Sequence, residues 1–153
     1  MNFFNLNQNQ FSDFINLSNK VFYPLMNFVN KTQFNEILNN LRLKEKYFPY
    51  PIYFGINKQK YKIYKNEKEL TLYYKSKKIA LVNNIEFYKI NKDNYGRKIF
   101  GKNFKKHPYF KKFNKENYIF LNYKIKKIFK LKLKKNLFIS PRDFKKNIQK
   151  KTL

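Results

Sequence analysis

The chain has 153 residues, 35 of them Lys or Arg against 9 Asp or Glu, for a formal charge of +26. Hydrophobic residues make up 42% and aromatic residues 20%, through 18 Phe and 13 Tyr without Trp, which is too much buriable surface for a disordered polycation and enough for one domain with a core. There is no cysteine, which excludes disulfides, zinc ribbons, iron–sulfur ligation and thiol catalysis, and a lone His107 removes most other metal sites.

Residues 1–11 read as an N-terminal tail, residues 12–139 as the domain, and residues 140–153 as a truncated linker. The first positive charge is Lys20, so the opening segment lacks the basic region of a signal peptide. Phe11, Phe14 and Ile15 lie at helical spacing, with Asp13 as a helix-start residue, and predict a short helix. Phe34, Ile37, Leu38 and Leu41 repeat the spacing more clearly, with Asn30 or Thr32 as N-cap and an end near Leu43. Tyr47-Phe48-Pro49-Tyr50-Pro51-Ile52 is not helical, because each proline lacks an amide proton and pushes the residue before it to an extended conformation. The apolar run that begins there is about half the length of a membrane span, so the expectation is a soluble cytoplasmic protein with no membrane partner.

Short strands follow. Lys60 to Lys65 alternates Tyr61 and Ile63 with lysines, Leu70 to Tyr74 is next, and Ile79 to Val82 with Ile85, Phe87 and Tyr88 completes a meander, with turns at Asn66-Glu67, Ser76-Lys77 and Asn83-Asn84. The segment Asn91 to Asn117, which holds Gly96, Gly101 and Pro108, reads as a long excursion. Strands return at Tyr118 to Tyr123 and Ile128 to Phe138, and Ser140-Pro141 with Asp143 starts a helix. The predicted class is α+β.

Catalytic and metal-binding constellations are not found. The carboxylates are few and none pairs with His107 at metal-ligand spacing, three scattered glycines make no phosphate loop, and His107 beside Pro108 fits a structural turn better than acid–base chemistry, which needs partners. No catalytic residue, metal ligand or cofactor is expected. The charge itself is uneven: residues 1–60 hold 7 basic and 3 acidic side chains, residues 61–153 hold 28 and 6. Lys102, Lys105, Lys106, Lys111, Lys112 and Lys115 interleave with Phe104 and Tyr109 as candidate RNA contacts, since a basic face draws polyanions and aromatic rings stack on bases. The competing reading is a solvated lysine face. Only Arg42, Arg97 and Arg142 are arginine and Ala80 is the only alanine, the signature of A- and T-rich codons rather than of selection for the bidentate guanidinium.

In this order the sequence resembles the N-terminal PUA-like domain of ATP sulfurylase, the sulfate adenylyltransferase. Asp13, Phe22, Pro24, Leu25 and Phe28 match that family's D-L-E-L-I-A-x-G-x-F-S-P-L-x-G-F-M stretch without a gap. Arg42-Leu43 and Phe48-Pro49-Tyr50-Pro51-Ile52 match R-L-x-x-G-x-x-W-P-I-P-I, and Ile79-Ala80-Leu81-Val82 looks like a P-L-A-V-L strand. Phe100-Gly101 and His107-Pro108 keep the spacing of F-G-T-x-D-x-x-H-P-G-V, and Ser140-Pro141 with Phe144 resembles t-P-x-x-V-R-x-x-F. The resemblance implies a PUA-like small β-barrel with short N-terminal helices and a helix start near Pro141. It assigns structural roles to Asp13, Pro24, Leu25, Phe28, Arg42, Pro49, Pro51, Phe100, Gly101, His107, Pro108 and Pro141. Two family glycines are replaced by Lys20 and Asn27, and a reshaped turn is expected at Lys20, because left-handed backbone is costly for Lys. The Q-T-R-N-P-x-H-x-x-H and G-R-D-H-A-G motifs of the family's catalytic domain do not occur here. The resemblance therefore implies a noncatalytic PUA-like part of sulfate activation, with a separately encoded catalytic domain as partner. The rival expectation is a basic RNA-binding module.

Overall fold

The structure is a computed structural model that describes residues 2–129. In chain order the elements are β1 (Phe3–Asn5), α1 (Gln8–Ser18), α2 (Lys31–Asn40), β2 (Arg42–Leu43), β3 (Lys46–Tyr47), β4 (Phe54–Ile56), α3 (Lys58–Tyr64), β5 (Glu69–Tyr74), β6 (Lys77–Tyr88), α4 (Lys92–Phe100), a 3-10 turn (Phe104–Lys106), α5 (Pro108–Glu116) and β7 (Ile119–Ile128). One sheet runs β1-β5-β6-β7-β4, with β1 parallel to β5 and the other pairs antiparallel, and β2-β3 forms a separate hairpin. The α+β class is as expected, and the barrel is a curled half-barrel.

Asparagine starts most of the helices. Asn7, Asn30, Asn57 and Asn91 each accept a hydrogen bond on the side chain from the amide two or three residues inside the helix, satisfying a donor that the first turn leaves over. In α1 and α2 the glutamine three residues on returns the bond: Gln10 Oε1 accepts from Asn7 N at 3.0 Å and Gln33 Oε1 from Asn30 N at 3.1 Å. Asp13 is therefore no helix-start residue and sits in the middle of α1. The second helix stops earlier than its apolar spacing suggested, at Asn40, because Leu41 turns left-handed at φ 53°.

The segment read as an N-terminal tail contributes β1 and the first turns of α1. Phe4 is 1% exposed, and the register Phe3–Thr71, Phe4–Leu72, Asn5–Tyr73 adds β1 to the sheet. Residues 60–65, expected as a strand, belong to α3. Asn57 caps that helix, and its inward residues are Tyr61 against Phe87 and Tyr118, and Tyr64 against Phe4, a spacing of three, while Ile63 of the apparent alternation is 65% exposed. Asn83-Asn84 is no turn. β6 runs through it with a register shift between Asn83 and Glu86 and Asn84 at φ 50°, so an irregularity bends the strand instead of ending it. The excursion from Asn91 to Asn117 folds into α4, the 3-10 turn and α5. The expected reshaping at Lys20 does not occur: Lys20 is left-handed at φ 60°, its amide donates to Leu17 O and Val21 N to Asn16 O, the bonding of a Schellman helix end. The strand residues beyond Ile128, to Phe138, and the helix start at Ser140-Pro141 lie outside the described residues.

The core is aromatic. Phe34, Tyr95 and Phe120 are each 0% exposed, and Tyr53 touches all three, with ring centroids 5.2 to 6.3 Å apart. Each such pair adds about 1 kcal/mol beyond the area it buries. Where the sheet curls back on itself, β1 and β4 meet side chain to side chain, with Phe4 and Phe54 rings 5.3 Å apart. The remaining seam is sealed by side chains. Gln10 Nε2 donates to Gly55 O at 2.9 Å, Tyr64 Oη to Phe3 O at 2.9 Å, and Lys60 Nζ to Asn5 O at 3.3 Å.

Candidate functional site

Leu25 and Phe28 are core residues at 1% exposure each, and Pro24 follows a cis peptide bond in the α1–α2 connection. Arg42 and Pro49 are exposed, while Pro51 is buried. Phe100, Gly101, His107 and Pro108 form one unit at the junction of α4 and α5. Gly101 ends α4 at φ 78°, and the His107 ring stacks on Phe100 at 4.4 Å. His107 Nδ1 accepts from Tyr109 N at 3.2 Å, so the imidazole caps α5, with Pro108 in the first turn, where its missing amide proton costs nothing. Pro141 lies outside the described residues.

The proposed RNA-contact set does not form a stacking platform. Phe104 is 4% exposed, with its ring 4.8 Å from Phe110 and edge-on to it, so it is a core residue with no face open to a base. Lys102, Lys105, Lys106, Lys111, Lys112 and Lys115 are exposed, with Lys105 paired to Asp93 at 3.4 Å and Lys112 to Glu116 at 4.0 Å. Tyr109 alone of the aromatic pair is open, at 50% exposure. The spacing of Phe104 and Tyr109 in the sequence is that of two residues in different elements, and only one of them faces water.

Three distant segments build a cleft. The first turns of α1, the stretch 50–55 and the face of α5 enclose a hollow of about 320 Å³, which adjoins a second of about 470 Å³ along shared walls at Asn7, Asn9, Gln10, Gly55, Lys112, Glu116 and Asn117. Asn117 packs closely over Gly55 at that junction, so that a Cβ there would lie 1.8 Å from Asn117 Oδ1 and the amide would have to move aside. Tyr50, Pro51, Tyr53, Tyr109 and Phe113 line the first hollow together with the polar side chains of Asn7, Asn9, Gln10 and Ser12, and with two carboxylates, Asp13 on α1 and Glu116 on α5. The second is basic, lined by Lys60, Lys112 and Lys115.

Burial sets the charge states here. Asp13 is half-buried, and desolvation raises its carboxyl above the ordinary range. None of the ion pairs among the described residues includes it. Tyr50 and Tyr95 share a hydrogen bond of 2.5 Å between their hydroxyls, and burial raises the phenols of Tyr50, Tyr53 and Tyr95, which keeps them neutral. Burial lowers the Lys60 ammonium. Among the described residues no group of three or more His, Cys, Asp and Glu side chains stands close enough to hold a metal ion, and none of the described helices is long and apolar enough to cross a membrane.

Sequence reasoning missed this cleft as a site. Asp13 and Tyr109 were singled out for other roles, whereas Tyr50, Tyr53 and Lys60 drew no functional reading, because segments some 45 residues apart are joined only by the curl of the sheet, as Gln10 on Gly55 shows. The family model described as PUA-like domain matches residues 1–129. No curated protein matches the chain.

Proposed function

The chain belongs to the PUA-like domain family, and from that premise we propose that it is a noncatalytic PUA-like module of the ATP-sulfurylase kind, working in the cytoplasm beside a separately encoded sulfate adenylyltransferase catalytic domain. The observation that carries the proposal is the junction of α4 and α5. The F-G and H-P pairs of the resemblance meet there in one unit, Phe100 stacked on His107 and Gly101 left-handed, and this supports the reading. In such a module His107 is used up as a helix cap, and transfer of an adenylyl group, which needs organised donors for the charge of the transition state, is left to the partner.

The test is to mix the full chain with a sulfate adenylyltransferase catalytic domain from the same cells and follow adenylyl sulfate formation. The expected result is a higher rate together with a complex that survives nuclease. An unchanged rate with no nuclease-resistant complex overturns the proposal. The rival RNA-binding reading has lost Phe104 to the core, and what supports it is the lysine face, whose attraction for polyanions falls steeply with salt.

A further inference from the structure

The cleft has a chemistry that the sulfate reading does not use, and the inference drawn from it stands independently of that reading. One hollow offers aromatic rings among polar side chains and a half-buried carboxylate that has no ion-pair partner among the described residues; the adjoining one offers three ammonium groups. A carboxylate removed from water without a partner is costly, and a ligand that brings hydrogen-bond donors recovers that cost. The ligand is thus flat and donor-bearing at one end and anionic at the other.

We propose that this cleft binds a guanine nucleotide, its base held by Asp13 between the aromatic walls and its phosphate by Lys60, Lys112 and Lys115.

The choice of base follows from the acceptor pattern of a carboxylate, which presents two oxygens side by side and no donor. Guanine sets two neighbouring donors, N1–H and the 2-amino group, on one edge and satisfies both oxygens at once. Adenine and cytosine place a ring acceptor beside their amino group, and uracil flanks a single donor with two carbonyls, so each would aim a lone pair at Asp13. Tyr109, half exposed, lines the same hollow as Tyr53 and Pro51, and these rings offer a base surfaces to stack on. Lys112 lines both hollows and so stands where base and phosphate would join. Glu116 also lines both, and its pairing with Lys112 at 4.0 Å on an exposed helix face is weak enough to yield to a phosphate.

The experiment is a calorimetric titration of the full chain with GMP, AMP, CMP, UMP, guanosine and inorganic phosphate at moderate salt. GMP should bind about tenfold more tightly than the other nucleotides, as expected for a carboxylate that accepts from both donors of the base. Asp13→Asn should abolish that preference, weakening GMP and strengthening AMP, because an amide sets a donor against the ring acceptor of adenine. Lys112→Ala with Lys115→Ala, on the exposed face of α5, should weaken GMP and AMP by the same factor. Equal binding of all four nucleotides, binding that inorganic phosphate reproduces, or no binding overturns the proposal, as does a GMP preference that survives Asp13→Asn. Short single strands with one G among A distinguish the source of the nucleotide. A strand that outcompetes GMP with the same dependence on Asp13 identifies guanine within RNA, and a strand that competes more weakly identifies the free nucleotide.

Discussion

Asp13 carries a carboxyl that α1 turns half out of water beside the Tyr50 and Tyr53 rings, and its protonation is linked to folding. Its folded pKa lies above the unfolded one, so the native state binds more protons in the window between them. Stability from this group is greatest below the unfolded value and declines as pH rises toward and through the folded value. Asp13→Asn should therefore raise the denaturation midpoint at neutral pH and flatten its dependence on pH on the acidic side, both read from urea titrations from about pH 3.5, just below the ordinary Asp value, up to about pH 7. An Asn variant less stable at neutral pH would refute this account. Sequence reading had placed Asp13 at a helix start because carboxylates favour that position, and the Asn7–Gln10 box three residues wide was the signal that it passed over. Phe104 failed for the opposite reason. Its neighbours are lysines, which suggests exposure, yet the 3-10 turn rolls its ring against Phe110 and over Gly96, where a Cβ would stand 2.3 Å from it.

The elements that were legible are those whose periodicity is long or whose turn chemistry is local. Phe34, Ile37 and Leu38 announced α2, and Leu70 to Tyr74 announced β5. In α3 the period was ambiguous, because seven residues hold two turns and Tyr61, Ile63 and Lys residues satisfy a strand pattern equally well; the tertiary need to seal the β1 seam decides it. Left-handed positions other than Lys20 were hidden, since glycine usually marks them and this chain has 3 glycines. Lys20, Leu41, Lys44, Glu45, Lys75, Ser76 and Asn84 take positive φ in their place. Lys44-Glu45 and Lys75-Ser76 are the two-residue loops of the β2–β3 and β5–β6 hairpins, both residues left-handed as the twist of such hairpins requires. Lys20→Gly and Leu41→Gly, each at a helix end, should stabilise the fold by about 1 kcal/mol apiece, Leu41 giving up little packing at 46% exposure. Chemical denaturation of the two variants and their double mutant checks this, and the effects should add because the two sites terminate different helices.

For the whole molecule the dominant long-range term is self-repulsion. With 35 basic side chains against 9 acidic ones, and the ion pairs of the described residues all on exposed side chains, the compact state gathers like charges that the unfolded chain spreads apart. Added salt should raise the melting temperature steadily as the screening length falls from about 30 Å at 0.01 M to about 8 Å at 0.15 M, and a melting temperature that falls over that range would mean that attractive pairs outweigh the excess of lysine. The class of fold was readable from composition and strand order, and the curl of the sheet was not, because it depends on which carbonyls find donors after the strands have paired. That curl has one more consequence. A sheet that stops short of closure normally leaves two rows of backbone groups able to recruit a strand from another molecule, the first step toward fibrils. Here Gln10 occupies Gly55 O on β4, and Tyr64 and Lys60 occupy Phe3 O and Asn5 O on β1. Three side chains thus cover outward carbonyls on both edge strands of the half-barrel, and a strand from another molecule would have to displace them before it could pair there.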